Sequence, residues 1–156
     1  ESLDPKAPQG SYNLARRVQT TKPLDVQALF ALLDDDARKA LVEVLEAGRQ
    51  AQRSIQQRVA KPNRRDAYDN VGLTRLVDAT SDRDLYKRWS ASKDFVLPLA
   101  VTDEPIRLEG SPDSGDVSVV TATGKVAMHR DSDGLWRIAG QRGAIMKALA
   151  PRSSPE

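Results

Sequence analysis

The chain of 156 residues lacks several residue types on which whole classes of protein depend. It contains no cysteine, which excludes a disulfide framework, a thiolate metal site and a cysteine nucleophile. It contains a single histidine, His129, which excludes a metal centre built from several histidines. Its longest apolar run, residues 95–101, has the length of a strand and falls far short of the roughly 20 residues that span a bilayer. We therefore expect neither a metal nor a cofactor.

The chain also lacks a large excess of either positive or negative charge. Lys and Arg number 24 and Asp and Glu number 22, so the formal net charge is only +2. A balance of this kind does not favour nucleic acid as a partner. The hydrophobic fraction of 39% is sufficient for one domain with its own core at this length.

The N-terminal segment has the composition of a linker. The chain begins with Glu1 rather than methionine, which predicts a product cut from a longer chain, either by removal of a signal peptide or membrane anchor or by truncation. Prolines and polar residues predict a flexible tether over residues 1–23, a single domain over 24–150 and a disordered tail over 151–156. A tethered domain suggests an extracytoplasmic setting, periplasmic or membrane-tethered, as in a bacterial envelope assembly or lipoprotein, with the cytoplasm as the alternative.

The first half of the domain shows helical periodicity. Apolar residues over 24–33 predict a helix capped by Asp25. The acidic triplet 34–36 predicts the start of a long helix over 37–59, with a metal site as the alternative for the three carboxylates. Further helices are predicted over 65–79 and, capped by Ser81 or Thr80, over 82–91.

The hydrophobic period then changes from 3.6 to 2. We predict a strand over 95–101, a long strand over 117–130 with a bulge or bend at Gly124, and a turn over 131–134. A last strand carries Trp136 on its inner face, and a final helical turn is predicted over 143–150. Helices followed by an antiparallel meander indicate an α+β fold.

This order resembles the NTF2-like superfamily over about residues 35–141. The resemblance is carried by the sequence Asp133-Gly134-Leu135-Trp136-Arg137-Ile138 at the end of the meander. It implies N-terminal helices packed on a curved antiparallel sheet, a cone that surrounds a pocket. Members of that superfamily include isomerases, hydrolases, transport factors and non-catalytic domains of bacterial envelope proteins.

The resemblance does not imply a catalytic role here. Enzymes of the superfamily use acidic residues or a tyrosine inside the cone, whereas the predicted strands offer no acid at a mid-strand position. Their polar positions are Thr121, Thr123, Lys125, His129 and Arg137. His129 is open to two interpretations, a lone general base or a surface histidine near a strand end, and no acid lies in sequence register with it.

The strongest charge feature is the basic segment, residues 47–65, which contains no acid. It is open to two interpretations: a binding patch for an anionic surface or acidic partner, or a solvated helix end that complements the helix dipole. The absence of interleaved aromatics argues against nucleic acid. Its cations are Arg49, Arg53, Arg58, Lys61, Arg64 and Arg65.

The leading hypothesis is a non-catalytic domain that binds a protein partner or an apolar ligand. The alternatives are a small NTF2-like isomerase or hydrolase, and a basic module for an anionic surface. A pocket between helices and sheet would be lined by large apolar side chains, for which core packing is the competing role. The candidates are Tyr68, Leu85, Trp89, Phe95, Leu97, Val120, Met128 and Trp136.

Overall fold

The computed structural model describes residues 2–152 and divides the chain into two compact units. The first unit comprises Glu1–Ala37 and Val96–Gln141, and the second comprises Arg38–Phe95 and Arg142–Glu156. Each unit is built from two separate segments of chain, and the single domain over 24–150 stays a prediction from the sequence.

The fold is α+β, as predicted. The sheet is antiparallel, open rather than closed into a barrel, and follows the chain order β1-β2-β3-β4. Its strands are β1 Arg107–Glu109, β2 Asp116–Val120, β3 Lys125–Arg130 and β4 Trp136–Ile138. The α-helices of residues 2–152 are α1 Pro8–Thr20, α2 Val26–Ala31, α3 Asp35–Arg58, α4 Arg64–Asn70, α5 Thr74–Asp78, α6 Asp82–Ser90 and α7 Arg142–Leu149.

Helix α1 corrects the prediction of a flexible tether over residues 1–23. Pro8 stands in its first turn, where a missing N–H costs nothing. Tyr12 and Ala15 are completely buried in the core of the first unit, and the Ser11 hydroxyl donates to the Trp136 carbonyl at 2.6 Å. Pro8, one of the prolines that suggested a linker, therefore begins a helix that packs on the sheet.

The core of the first unit lies between α1 and one face of the sheet. The register pairs Val117 with Met128 and Val119 with Val126, so these four side chains lie on the same face. The cluster of buried residues consists of Tyr12, Ala15, Leu32, Leu99, Val117, Val119, Val126, Met128, Trp136 and Ile138.

Two predictions about strands are wrong. Residues 117–130 form a hairpin, because the chain turns at Thr121, whose N–H donates to the Gly124 carbonyl at 2.8 Å. Gly124 is thus a turn residue rather than a mid-strand bulge. Residues 95–101 form no strand, since the Gln19 side-chain amide takes both backbone groups of Leu99, at 2.8 and 3.0 Å.

The second unit is helical, and all of its described α-helices except α5 begin within two residues of a predicted start. Helix α3 confirms the long helix predicted over 37–59, and Ser81 caps α6 by accepting from Asp84 N–H at 3.0 Å. The predicted helix over 65–79 is instead two helices, because the chain turns at Gly72 with φ of +72°. The predicted helical turn over 143–150 is confirmed as α7.

Arg75 joins three parts of the second unit. Its guanidinium holds both carboxylate oxygens of Asp94 at 3.0 and 3.1 Å and also donates to the Ala148 carbonyl of α7 at 3.3 Å. This contact lowers the pKa of Asp94 to about 2. Of the predicted tail over 151–156, the Arg152 N–H donates to the Val71 carbonyl at 2.8 Å, and residues 153–156 lie outside the described residues.

Candidate functional site

The predicted pocket residues belong to both units. Tyr68, Leu85, Trp89 and Phe95 lie in the second unit, and Leu97, Val120, Met128 and Trp136 lie in the first. Most of them are buried, Phe95 is half-buried and Leu97 is exposed.

Packing explains the burial of these side chains inside their own units. Met128 and Trp136 belong to the sheet core of the first unit. In the second unit Trp89 contacts Phe95 edge-to-face, with ring centroids 5.0 Å apart, and Tyr86 contacts both rings. The apolar ligand stays a prediction, and these contacts supply a packing role for the side chains that were expected to bind it.

His129 has acidic partners that the sequence did not reveal. The register places it opposite Asp116, and its Nδ1 lies 2.7 Å from Asp116 Oδ1. Its Nε2 lies 3.9 Å from Oδ1 of Asp131, whose side chain is buried. The expectation that no acid faces His129 is therefore wrong. The hydrogen bond to Asp116 raises the pKa of His129 above its ordinary value, and the charges of Asp131 and Asp34 add to this shift. Partial burial of the ring opposes it.

Arg137 completes this cluster on the neighbouring strand. Its guanidinium contacts Asp131 at 2.9 Å and holds both oxygens of Asp133 at 2.9 and 2.7 Å. The same group donates through Nε to the Ala31 carbonyl at 3.2 Å. The contact lowers the pKa of Asp133 to about 2. Arg137 therefore fixes the closing turn and connects β4 to the end of α2.

Asp34 adds a buried carboxyl group to this region. It accepts from Ala37 N–H at 3.0 Å, which confirms its predicted place at the start of the long helix. Burial raises its pKa although that hydrogen bond opposes the shift. Within the described residues, no group of three or more histidine or acidic side chains is arranged to hold a metal ion.

The cluster around His129 holds several charges close together. A general base needs a neutral ring nitrogen directed at its substrate. Nδ1 of His129 is instead hydrogen-bonded to Asp116, Nε2 lies 3.9 Å from Asp131 and beyond hydrogen-bond distance, and the raised pKa of His129 favours the imidazolium. The arrangement is therefore an ion-pair network that joins β2, β3 and the turn before β4.

One local signal could have revealed the partner of His129. The turn Thr121-Ala122-Thr123-Gly124 sets the hairpin register, in which Val120 pairs with Lys125 and Asp116 with His129. Treating residues 117–130 as one strand concealed this pairing.

The basic segment covers the end of α3 and the start of α4. Arg49, Arg53, Arg58, Lys61 and Arg65 are exposed and Arg64 is half-buried. Arg64 donates to the carbonyls of Gln56 and Val59, both at 3.1 Å, and so caps the C-terminal end of α3. Capping therefore explains the role of the Arg64 side chain. This role agrees with the interpretation of the basic segment as a helix end that complements the helix dipole.

The remaining cations of the basic segment are mostly uncompensated. Arg65 pairs with Asp78 at 3.4 Å, and Arg58 donates to its own helix at the Ser54 carbonyl. Among the residues that the structure describes, Arg49, Arg53 and Lys61 make no ion pair or hydrogen bond through their side chains. Three positive charges are thus available to a partner.

Arg49 and Arg53 lie on the outer face of α3. They are four residues apart and therefore lie one above the other. The opposite face contains the buried residues Val44, Gly48 and Ile55. We call the exposed face formed by Val42, Glu46, Arg49 and Arg53 the α3 stripe.

Comparisons with known proteins do not identify the chain. No family model matches it, and neither a curated protein nor a solved structure matches it. The NTF2-like resemblance therefore stays a prediction from the sequence. Among the described residues, no helix is both long and apolar enough to cross a membrane.

Proposed function

We propose that this protein is a non-catalytic binding domain that receives an acidic segment of a protein partner on its basic segment. The observation that supports the proposal most directly is that most cations of the basic segment have no carboxylate partner among the described residues. Between Glu46 and Asp66 the sequence has no acid, and within the described residues Arg65 is the one cation of the basic segment paired with a carboxylate.

The arrangement of Arg49 and Arg53 carries an energetic cost that a partner relieves. Like charges four residues apart on a helix destabilise it by a few tenths of a kcal/mol. Neither guanidinium has an acceptor among residues 2–152. A carboxylate placed between them would replace this repulsion by two charge-assisted contacts.

The composition of the surface favours a protein over a polyanion. The α3 stripe includes an exposed carboxylate, Glu46, and an exposed apolar side chain, Val42, which is 42% exposed. A phosphate backbone would be repelled by Glu46, whereas a protein surface can match mixed charge and contact Val42. The basic segment also lacks aromatic residues on which bases could stack.

The enzyme alternative receives less support. The polar cluster around His129 contains paired charges, and both ring nitrogens face carboxylates. The extracytoplasmic setting in a bacterial envelope stays a prediction from the sequence, and the binding proposal does not depend on it.

The test is a binding titration with a fluorescent glutamate-rich peptide, followed by anisotropy. The charge-reversal variant Arg49→Glu/Arg53→Glu is compared with Lys87→Glu/Lys93→Glu, which changes the net charge equally at exposed lysines elsewhere in the second unit. We expect the first variant to bind at least about tenfold more weakly and the second to bind nearly as wild type does.

Two results would overturn the proposal. Equal weakening by both variants would show attraction to net charge alone. Stronger binding to vesicles of phosphatidylserine, or to single-stranded DNA, than to the peptide would show that the basic segment serves a membrane or a nucleic acid instead.

A further inference from the structure

The first unit contains a polar hollow that is independent of the basic segment. It has a volume of about 270 Å³, is open to solvent, and lies at the last turn of α1. Its lining residues are Arg16, Arg17, Thr20 and Thr102. We propose that this hollow binds a phosphate group, either as free phosphate or as a small phosphate monoester.

Arg16 is held in place for this role by the backbone. Its Nε donates to the Thr102 carbonyl at 2.6 Å, which orients the guanidinium while leaving its terminal nitrogens without a partner in the described part of the chain. A donor fixed in advance loses little side-chain freedom on binding.

Arg17 supplies a second charge beside the first. Its side chain is exposed and makes no ion pair or hydrogen bond with any described residue. Two guanidinium groups present forked donors that match the several oxygens of a phosphate better than the two of a carboxylate. This donor geometry is the reason for the choice of phosphate.

The acid that follows Thr102 in the chain is engaged elsewhere. Asp103 follows Thr102 in the chain, and its carboxylate accepts a hydrogen bond from the Thr123 hydroxyl. Its backbone carbonyl accepts from the Tyr12 hydroxyl at 2.7 Å. Asp103 makes no ion pair with Arg16 or Arg17 within the described residues, so the two charges stay available.

The C-terminal end of α1 opposes the binding of an anion in the hollow. The C-terminal carbonyls of a helix repel negative charge when they are left open. Here the Thr20 hydroxyl donates to the Arg16 carbonyl at 2.7 Å, and the Thr21 hydroxyl donates to the Arg17 carbonyl at 2.6 Å. The Arg17 carbonyl also accepts the Thr21 N–H at 3.1 Å, and attraction to the two guanidinium groups has to exceed the repulsion that remains at this helix end.

The experiment is a titration of the isotope-labelled protein with sodium phosphate, followed by amide NMR at constant ionic strength set with chloride. Arg17→Gln removes one exposed guanidinium, and Arg53→Gln is the matched control in the basic segment. We expect saturable shifts at residues 16–20 and 102, a dissociation constant raised at least about tenfold in Arg17→Gln, and no change in Arg53→Gln.

Shifts that do not saturate, or equal affinity in wild type and Arg17→Gln, would overturn the inference. Loss of binding in Arg53→Gln would do the same, because the phosphate would then occupy the basic segment. A parallel titration with glycerol 3-phosphate separates the two sources: tighter binding than inorganic phosphate assigns the hollow to a monoester, and equal binding assigns it to the free ion.

Discussion

Asp116 and His129 face each other across β2 and β3, and a distance of 2.7 Å joins Oδ1 of the first to Nδ1 of the second. The pairing follows from the hairpin register and places a titratable group at the end of the sheet. The same imidazole faces Asp131, which Arg137 holds in turn. Protonation of one ring therefore affects the contacts of two strands and a turn.

Stability should depend on pH through His129. Asp116 raises the pKa of His129, so the folded protein binds this proton more tightly than the unfolded chain, where the pKa is near 6.5. The stabilisation is present in full below pH 6.5 and is lost as the pH rises through the pKa of His129 in the folded protein. Urea unfolding at a series of pH values should show this loss in the wild type and not in His129→Gln. Parallel pH profiles of the two proteins would contradict the ion pair.

Removal of Arg137 should destabilise the first unit strongly. The side chain of Asp131 is only 2% exposed, and Arg137→Ala would leave its charge buried with only the Asp35 N–H at 3.4 Å and His129 Nε2 at 3.9 Å beside it. We expect a loss of about 3 kcal/mol in the free energy of unfolding. Arg107→Ala removes an exposed pair with Glu109 at 3.5 Å and should cost less than about 1 kcal/mol. Equal losses in chemical denaturation would contradict this difference.

The buried helix α1 gives a test that separates a core element from a tether. Tyr12→Ala removes a completely buried ring and should cost about 3 kcal/mol or more. Tyr12→Phe keeps the ring and removes only the hydroxyl, which donates to the Asp103 carbonyl at 2.7 Å and lies 3.5 Å from the Val101 carbonyl, so it should cost about 1 kcal/mol. Thermal and urea unfolding measure both losses. An unchanged Tyr12→Ala variant would restore the prediction of a flexible segment.

Substitution by alanine should have opposite effects on stability at two glycines. At Gly48 a new Cβ would lie 2.9 Å from Leu76 Cβ, so Gly48→Ala should lower stability by about 1 kcal/mol despite better helix propensity. At Gly143, in α7, a new Cβ would meet nothing within 4 Å, and Gly143→Ala should raise stability by about 0.5 kcal/mol. Calorimetric melting of the two variants checks both signs, and a stabilised Gly48→Ala would show that Leu76 moves aside.

Local signals predicted the helices that begin with a capping side chain. Asp25, Asp34 and Ser81 each accept a backbone N–H at the start of a helix, and the sequence placed all three there. These signals depend on residues within one turn, so they can be recognised without knowledge of the fold.

Features set by distant contacts could not be predicted in this way. The prolines and polar residues in and beside α1 resemble a linker. The helix is nevertheless stabilised by burial of Tyr12 against the sheet. The segment 95–101 alternates like a strand, but the Gln19 side chain takes the backbone groups of Leu99 that a neighbouring strand would use. Both outcomes depend on residues many positions away.

The candidate sites also include features that the sequence shows locally and features that only the folded chain shows. The basic segment was recognisable because an acid-free run is a property of the sequence itself. The partners of His129 were not, because they depend on the hairpin register. The hollow at Arg16 and Arg17 was not recognisable either, because Thr102 reaches α1 only in the folded chain.

The most direct test of the proposed function is to map where the glutamate-rich peptide binds, by following amide NMR shifts of the isotope-labelled protein. The proposed function predicts saturable shifts over residues 46–65, lost in Arg49→Glu/Arg53→Glu and retained in Lys87→Glu/Lys93→Glu. Shifts concentrated at residues 116–137 of the sheet, or at residues 16–20, with none in the basic segment would contradict it.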